Sequence, residues 1–512
     1  MDHVDIEGFQ SEGGDDHVRT GTAWTATAHI ITAVIGAGVL AVPWSVAQLG
    51  WLFGPIVLIL FACITYYTAI LLSNCYRYPD KVTGRRNRVY MDAVTAILGP
   101  KQKLLCGSAQ HVVLCGALIG YTITTAKSMI AVKKSNCYYK HGRDAECQTS
   151  GNIYMLVFGV LEIILAQLPN LEKVTFLSFM AATMSFAYSF IGLGLCTAKL
   201  AENQRLKGTL TGIRVGNGGI SAVKKTWSVF QALGNIAASY SYSVVLIEIQ
   251  DTLRSPPPEH DSMKRANLSA IAVTTVFYVT LGCIGYAAFG NSAPGNFLTG
   301  FGFYEPYWLI DIGNICIVIH LVGAYQVYAQ PVFPLIENWV AARCPSSSIF
   351  AKVYRINMPT ANTAVELSAL KLLSRSVFIV LITTVAMVVP FFNEFIGLLG
   401  AVTFYPLTVY FPVSMYMVQD NVERGSSKWL TLKLLDFFAL VVCLLAAVGS
   451  VAGIVDSLRH DAPFKSRRRG AECASQASEQ PAFPTDFESA AVAILNLAIP
   501  SRCGASSKTT AQ

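Results

Sequence analysis

Apolar runs of roughly 20 residues recur along almost the whole chain, with short polar segments between them. They fall near 24–48, 52–75, 104–131, 153–169, 174–198, 227–248, 267–290, 306–336, 371–390, 395–418 and 430–455. The runs do not alternate as barrel strands would, so they predict an all-α polytopic membrane protein of about 11 transmembrane helices. The fourth run is short and ends at Pro169. Three regions follow: a cytoplasmic N-terminal segment 1–22, a transmembrane domain 23–456 and a divergent C-terminal tail 457–512. The tail is rich in Ser and Ala, its apolar stretch 490–500 is too short to cross a bilayer, and it reads as disordered.

Loop charge sets the expected orientation. Segment 76–103 carries Arg77, Lys81, Arg85, Arg86, Arg88, Lys101 and Lys103, which places it and the N-terminus in the cytoplasm. Segment 337–370, with Arg343, Lys352 and Arg355, falls on the same side. Segment 199–226 opposes the rule: it carries Lys199, Arg205, Lys207, Arg214, Lys224 and Lys225, yet the alternation puts it outside. Residues 1–20 are polar and mostly acidic, unlike a cleavable signal peptide. Three prolines at 256–258 predict an extended linker before the seventh run.

Composition agrees with the pattern. The chain is 53% hydrophobic and only 13% charged, where a soluble protein carries about a quarter charged residues. Mean hydropathy is +0.47. The net charge of +7 resides in loops and gives no nucleic-acid surface. The chain has no G-x-x-x-x-G-K-[ST] loop, no Cys/His spacing for zinc and no nucleophile motif. An enzyme, an ATP-driven pump and a resident metal or cofactor are therefore not expected. Most of the thirteen cysteines lie in apolar runs as small core residues. Cys137 and Cys147 share one polar loop; they form a disulfide if that loop is extracellular, or stay as two thiols.

The first run contains its own breakers, Gly36, Gly38 and Pro43, near mid-depth. A helix interrupted inside a bilayer frees backbone groups, which is tolerable only against protein or a polar cavity. Transporters use such breaks to hold anionic substrate groups at the half-helix N-terminus. The stretch Ile35-Gly36-Ala37-Gly38-Val39 is thus a candidate substrate site, the alternative being a Gly-x-Gly packing contact. Five runs later, Ser239-Tyr240-Ser241-Tyr242-Ser243 is polar for a bilayer midplane. In an inverted repeat this is where a second break belongs. Interhelical hydrogen bonds are its other reading.

Several long motifs carry a family resemblance. Residues 21–51 (GTAWTATAHIITAVIGAGVLAVPWSVAQLGW) resemble the opening of the plant amino acid permeases, within the amino acid/auxin permease family. Residues 168–195, 232–259, 318–333 and 397–417 resemble it too, so the likeness covers about 17–465. It implies a LeuT-like five-plus-five inverted repeat with helices 1 and 6 broken and one helix added. It also implies proton-coupled import of a broad range of amino acids, neutral and extending to acidic, at the plasma membrane. The partners implied are the amino acid, the proton and the lipid bilayer. A vacuolar or auxin-type carrier and a non-transporting sensor are alternatives. The chain departs from the family where Ala37 replaces a more usual serine, at Pro43, and in the tail beyond 465.

In this frame the substrate carboxylate is expected at the N–H groups of Gly36–Val39, and its ammonium at carbonyls near Ser239, Tyr240 and Ser241. Tyr121 on the third helix is expected to face it. Ionisable residues inside a bilayer are usually functional. His29 and His320 are candidate proton-linked groups because histidine titrates near neutral pH. Asp311, Glu162 and Glu248 are further proton candidates. Glu248 and Asp251 also suit an inner gate with loop arginines. His111 and Lys127 accompany Tyr121 on the third run.

Overall fold

The computed structural model describes residues 19–142, 147, 150–167, 175–216, 220–299, 306–343, 353–357 and 364–460. The predicted tail from 461 onward and the segment before 19 lie outside the described residues.

The architecture is helical. The first apolar run is broken: α1 (Ala23–Val34) stops at Ile35 and Gly36, a 310 turn follows (Ala37–Ala41), and α2 (Val42–Asn74) continues. Thr22 and Thr25 cap α1 reciprocally, satisfying N–H groups that a helix start leaves open. Then come α3 (Tyr90–Leu98), α4 (Pro100–His141), α5 (Asn152–Ala166) and α6 (Thr175–Asn203). The sixth run is broken as well. Its first half, α7 (Ala222–Ser239), ends at Tyr240, and a short 310 turn leads into α8 (Leu246–Asp251). The rest comprises α9 (Glu259–Phe289), α10 (Tyr307–Ala329), α11 (Val332–Arg343), α12 (Ala369–Val388), α13 (Phe392–Thr403), α14 (Phe411–Gln419) and α15 (Ser427–His460). A π-helical turn at Phe404–Tyr410 joins α13 to α14. Two small antiparallel hairpins complete the described residues, Arg77–Tyr78 with Arg85–Arg86 and Val353–Asn357 with Ala364–Ser368.

Among the described residues, nine helices are long and apolar enough to cross a membrane, and the shorter apolar α5 stands beside them. That is the count to set against the predicted eleven runs. The first and second runs are continuous in this count because α2 reverses without a gap at Gly50, whose φ of +83° suits only glycine. Backbone of the 209–212 loop lies against Gly50 so closely that a Cβ there would sit 2.1 Å from Gly212 N. Leu52, Ile56, Val273, Val276, Phe437 and Leu444 are exposed on the outer faces of their helices. Such faces are stable in lipid, not in water, so the chain is a multi-pass membrane protein.

α2 also fixes which loops share an end. At its Gly50 end, Trp51 N and Leu52 N donate to Thr209 O and Leu210 O, and Lys225 Nζ donates to Gln48 O. At its Asn74 end, Tyr76 donates to Asp251 at 2.6 Å, and Arg77 and Arg86 both pair with Glu259. The basic loop after α6 therefore lies opposite the 76–103 loop, as helix alternation required against its charge. At the Asp251 end a bridge joins the start of α1 to the end of α8. Gly21 N donates to Thr252 O and Arg254 N to Gly21 O, both at 2.9 Å, and Arg19 pairs with Asp251 at 3.1 Å.

Candidate functional site

The two breaks meet. Gly38 packs onto the last turn of α7, where an added Cβ would lie 2.9 Å from Ser239 Cα. That close approach is what a glycine at this position permits. Beside the contact lies a cavity of about 490 Å³. Gly36, Ala37 and Gly38 line it from the first break, and Ser241, Tyr242 and Glu248 from the second. α4 supplies Gln110, His111 and Tyr121, α10 supplies Val327 and Tyr328, and α13 supplies Ile396, Leu399, Gly400 and Thr403. Val89, Tyr90 and Met91, at the start of α3, line it as well.

The first break leaves donors for a ligand. Gly36 N folds back onto Val34 O at 2.9 Å and Val39 N reaches Gly36 O at 3.3 Å. Among the described residues, Ala37 N and Gly38 N have no backbone acceptor. They stand at the start of the 310 turn, where the helix dipole adds partial positive charge. A Cβ on Gly36 would meet nothing within 4 Å, so the space beside it is open.

The second break is more fully satisfied than its sequence suggested. Ser241 Oγ donates to Ala237 O at 2.8 Å, Ser241 N to Ala238 O at 3.2 Å, and Ser239 Oγ to Asn235 O at 2.9 Å. Ser239 O accepts from the Tyr278 hydroxyl at 3.2 Å. The expected ammonium seat at Ser239 thus shares with Val34 O the one proton of the Tyr278 hydroxyl. Tyr240 is fully buried with its hydroxyl 3.4 Å from Thr275 Oγ1, so it offers no group to the cavity. Ile35 and Val39 are likewise core residues rather than lining. Of the predicted binding residues, Gly36, Ala37, Gly38, Tyr121 and Ser241 reach the cavity.

The predicted ionisable groups separate. Glu248 is in the cavity wall; its Oε1 accepts a long bond from Tyr90 N at 3.4 Å, and its buried Oε2 has no partner among the described residues. His29 is exposed on the outer face of α1 and does not line the cavity. An apolar helix in lipid does not announce in its sequence which face is inward. His320 is buried between α6 and α10, its Nδ1–H donating to Ala181 O at 2.7 Å and its ring edge-on to Tyr188. Asp311 sits near the start of α10, accepting from Asn136 at 3.1 Å, and does not line the cavity. Cys137 and Cys147 form a disulfide. Among the described residues no group of His, Cys, Asp and Glu could hold a metal ion.

The sequence signature decides the family. Residues 19–456 match the profile of the transmembrane amino acid transporter proteins. The chain belongs to the transmembrane amino acid transporter family. Amino acid permease 2 of Arabidopsis thaliana is 52% identical over 448 residues, covering 88% of this transporter and 90% of that protein. Amino acid permease 8 of the same plant is 53% identical over 448 residues, covering 88% and 94%. Among solved structures, MhsT in complex with L-phenylalanine aligns at a TM-score of 0.49 and 12% identity, covering 83% of the transporter and 98% of MhsT.

Some of this transporter's lining was not foreseen. Tyr90, Gln110 and Tyr328 carry no local signal, and His111 was noticed only as an ionisable residue in an apolar run. His111 Nδ1–H donates to Gly107 O at 2.7 Å, which leaves Nε2 as the acceptor in the neutral ring. Tyr328 meets Tyr121 edge-on with ring centroids 5.4 Å apart, and the pair forms one wall.

Proposed function

We propose that this chain is a proton-coupled symporter that imports amino acids across the plasma membrane by alternating access, on a LeuT-like five-plus-five repeat. The observation that carries the reading is the cavity between the two broken helices, with N–H groups at Ala37 and Gly38 that have no backbone acceptor among the described residues on one side and Glu248 on another. The substrate carboxylate binds those N–H groups, by charge-assisted bonds at a helix start. Its side chain lies along the apolar wall of Val113, Leu114, Ile396 and Leu399. The relatives' name, amino acid permease, supports the substrate class.

The cavity reaches from the breaks toward the Asp251 end, which loop charge assigns to the cytoplasm. The conformation is then inward-facing, with Glu248 on the exit path. In this reading Glu248 is the cavity's proton-linked residue, ahead of His29, His320 and Asp311.

The test is uptake of a labelled neutral amino acid into cells expressing the chain, under voltage clamp, without sodium, with external pH stepped from neutral to acid. An inward current that needs both amino acid and acid supports symport. Binding without current or uptake, at confirmed surface expression, overturns it in favour of a sensor.

A further inference from the structure

A second carboxyl lies behind the cavity wall. Glu162, on α5, is fully buried against α10. Its Oε2 accepts from Gln326 Nε2 at 2.6 Å, and the same nitrogen donates to Glu162 O at 3.2 Å. Among the described residues Glu162 Oε1 and Gln326 Oε1 are both buried without a partner, and so is the Tyr325 hydroxyl beside them.

No described cation neutralises this carboxyl. Arg375 of α12 packs onto the end of α5, one turn further on, but it is committed elsewhere. It pairs with Glu337 at 2.8 Å, donates to Ala166 O at 2.7 Å and stacks on Phe333. Tyr325 on α10 is a titratable neighbour, with Cys115 of α4 beside it, and Leu118, Phe158 and Ile382 belong to the same cluster as Tyr325. An unpaired carboxylate in such surroundings is costly.

We propose that Glu162 binds a proton while paired with Gln326, as a positioning residue for the cavity. A proton taken from solution bonds to Oε1, and the resulting O–H donates to Gln326 Oε1. The side chain goes from one negative charge to neutral. A carboxylic acid and a primary amide then face each other through two antiparallel hydrogen bonds, of which the structure already holds one. One proton removes the charge and pairs both orphaned oxygens.

The consequence reaches the cavity through α10. Gln326 faces Glu162, while its neighbours Val327 and Tyr328 line the cavity. Locking or freeing this turn of α10 moves the wall that Tyr328 and Tyr121 form. The inference about transport rests on the proton-coupled reading above; the protonation itself does not.

The experiment is infrared difference spectroscopy of the full chain in lipid across an acid pH step, for wild type, Glu162→Gln, Glu248→Gln and Gln326→Met. A protonated-carboxyl band that rises with acid, persists in Glu248→Gln and vanishes in Glu162→Gln supports the proposal. A spectrum unchanged by Glu162→Gln overturns it. Should that variant not fold, Gln326→Met decides: a shifted midpoint of the band supports the pairing, and an unmoved one overturns it. Acid stimulation of uptake is read in parallel and is expected to be lost in Glu162→Gln. Wild-type uptake indifferent to pH would defeat the symport reading, while the infrared band would still decide whether Glu162 takes a proton.

Discussion

The hydroxyl of Tyr278 donates to the carbonyl of Val34 at 2.7 Å, at the point where α1 stops. The same oxygen is 3.2 Å from Ser239 O, where α7 stops. One phenol on α9 thus serves the freed carbonyls of both broken helices, and its single proton favours the nearer one. Tyr278→Phe keeps the ring, which packs edge-on to Tyr240, and removes the donor. The lost bond should cost about 1 kcal/mol or somewhat more. Uptake per surface molecule should fall several-fold, toward the tenfold that ~1.4 kcal/mol represents. Unchanged uptake would mean the hydroxyl does not help hold the breaks.

Gly36 and Gly38 should fail differently. A side chain at Gly36 enters open space in the cavity, so Gly36→Val should abolish uptake while surface expression stays near wild type. A side chain at Gly38 collides with Ser239, so Gly38→Val should lower the yield of folded protein. Overpacking of this kind costs about 1–3 kcal/mol. Surface biotinylation beside uptake separates the two, and equal loss of surface protein in both would refute the distinction.

Glu259 is buried between two arginines, its side chain only 2% exposed. Its hydrogen bond keeps the Arg77 guanidinium protonated even above the ordinary arginine range. Glu259→Ala leaves both cations without this partner, and breaking such a pair costs about 3–5 kcal/mol. The melting temperature of the purified protein should drop markedly, more than for Lys224→Ala, whose pairing with Asp456 is half exposed. Equal shifts would show that burial does not set the cost.

The Cys137–Cys147 disulfide closes a short loop, for which the chain-entropy relation gives about 2–3 kcal/mol. Cys137→Ser should therefore weaken that loop, and it tests sidedness as well. A membrane-impermeant maleimide should label the freed Cys147 on intact cells. Labelling only after permeabilisation would reverse the orientation assigned from loop charge.

The breaks were legible because Gly36, Gly38 and the Ser/Tyr run are anomalies in apolar surroundings, and bilayer physics gives such anomalies few explanations. The cavity's other walls were not legible. Ile396 and Thr403 look like ordinary helix residues, and only the crossing of α13 over α4 and α7 brings them to the site. His29 shows the general difficulty. Its neighbours Ala26, Thr27 and Ile30 are buried while it is exposed, yet lipid and protein interior are equally apolar, so hydropathy does not distinguish the two faces. Tyr240 shows a second difficulty: its hydroxyl satisfies Thr275 rather than a ligand, and a polar residue at mid-depth does not say which.

The bridge from Gly21 to Thr252 and Arg254 is written in main-chain atoms. Side-chain substitution around it, proline at Arg254 aside, can change the local chemistry without removing either bond. Gly21 is the exception, since a Cβ there would sit 2.6 Å from Thr252 O. The half-helices α1 and α8 therefore share a main-chain fastening at their common end, beside the Arg19–Asp251 pair. A swing that widens this end carries both as a single leaf, or must first undo that fastening. The join is insured against drift in the side chains around it but vulnerable at Gly21.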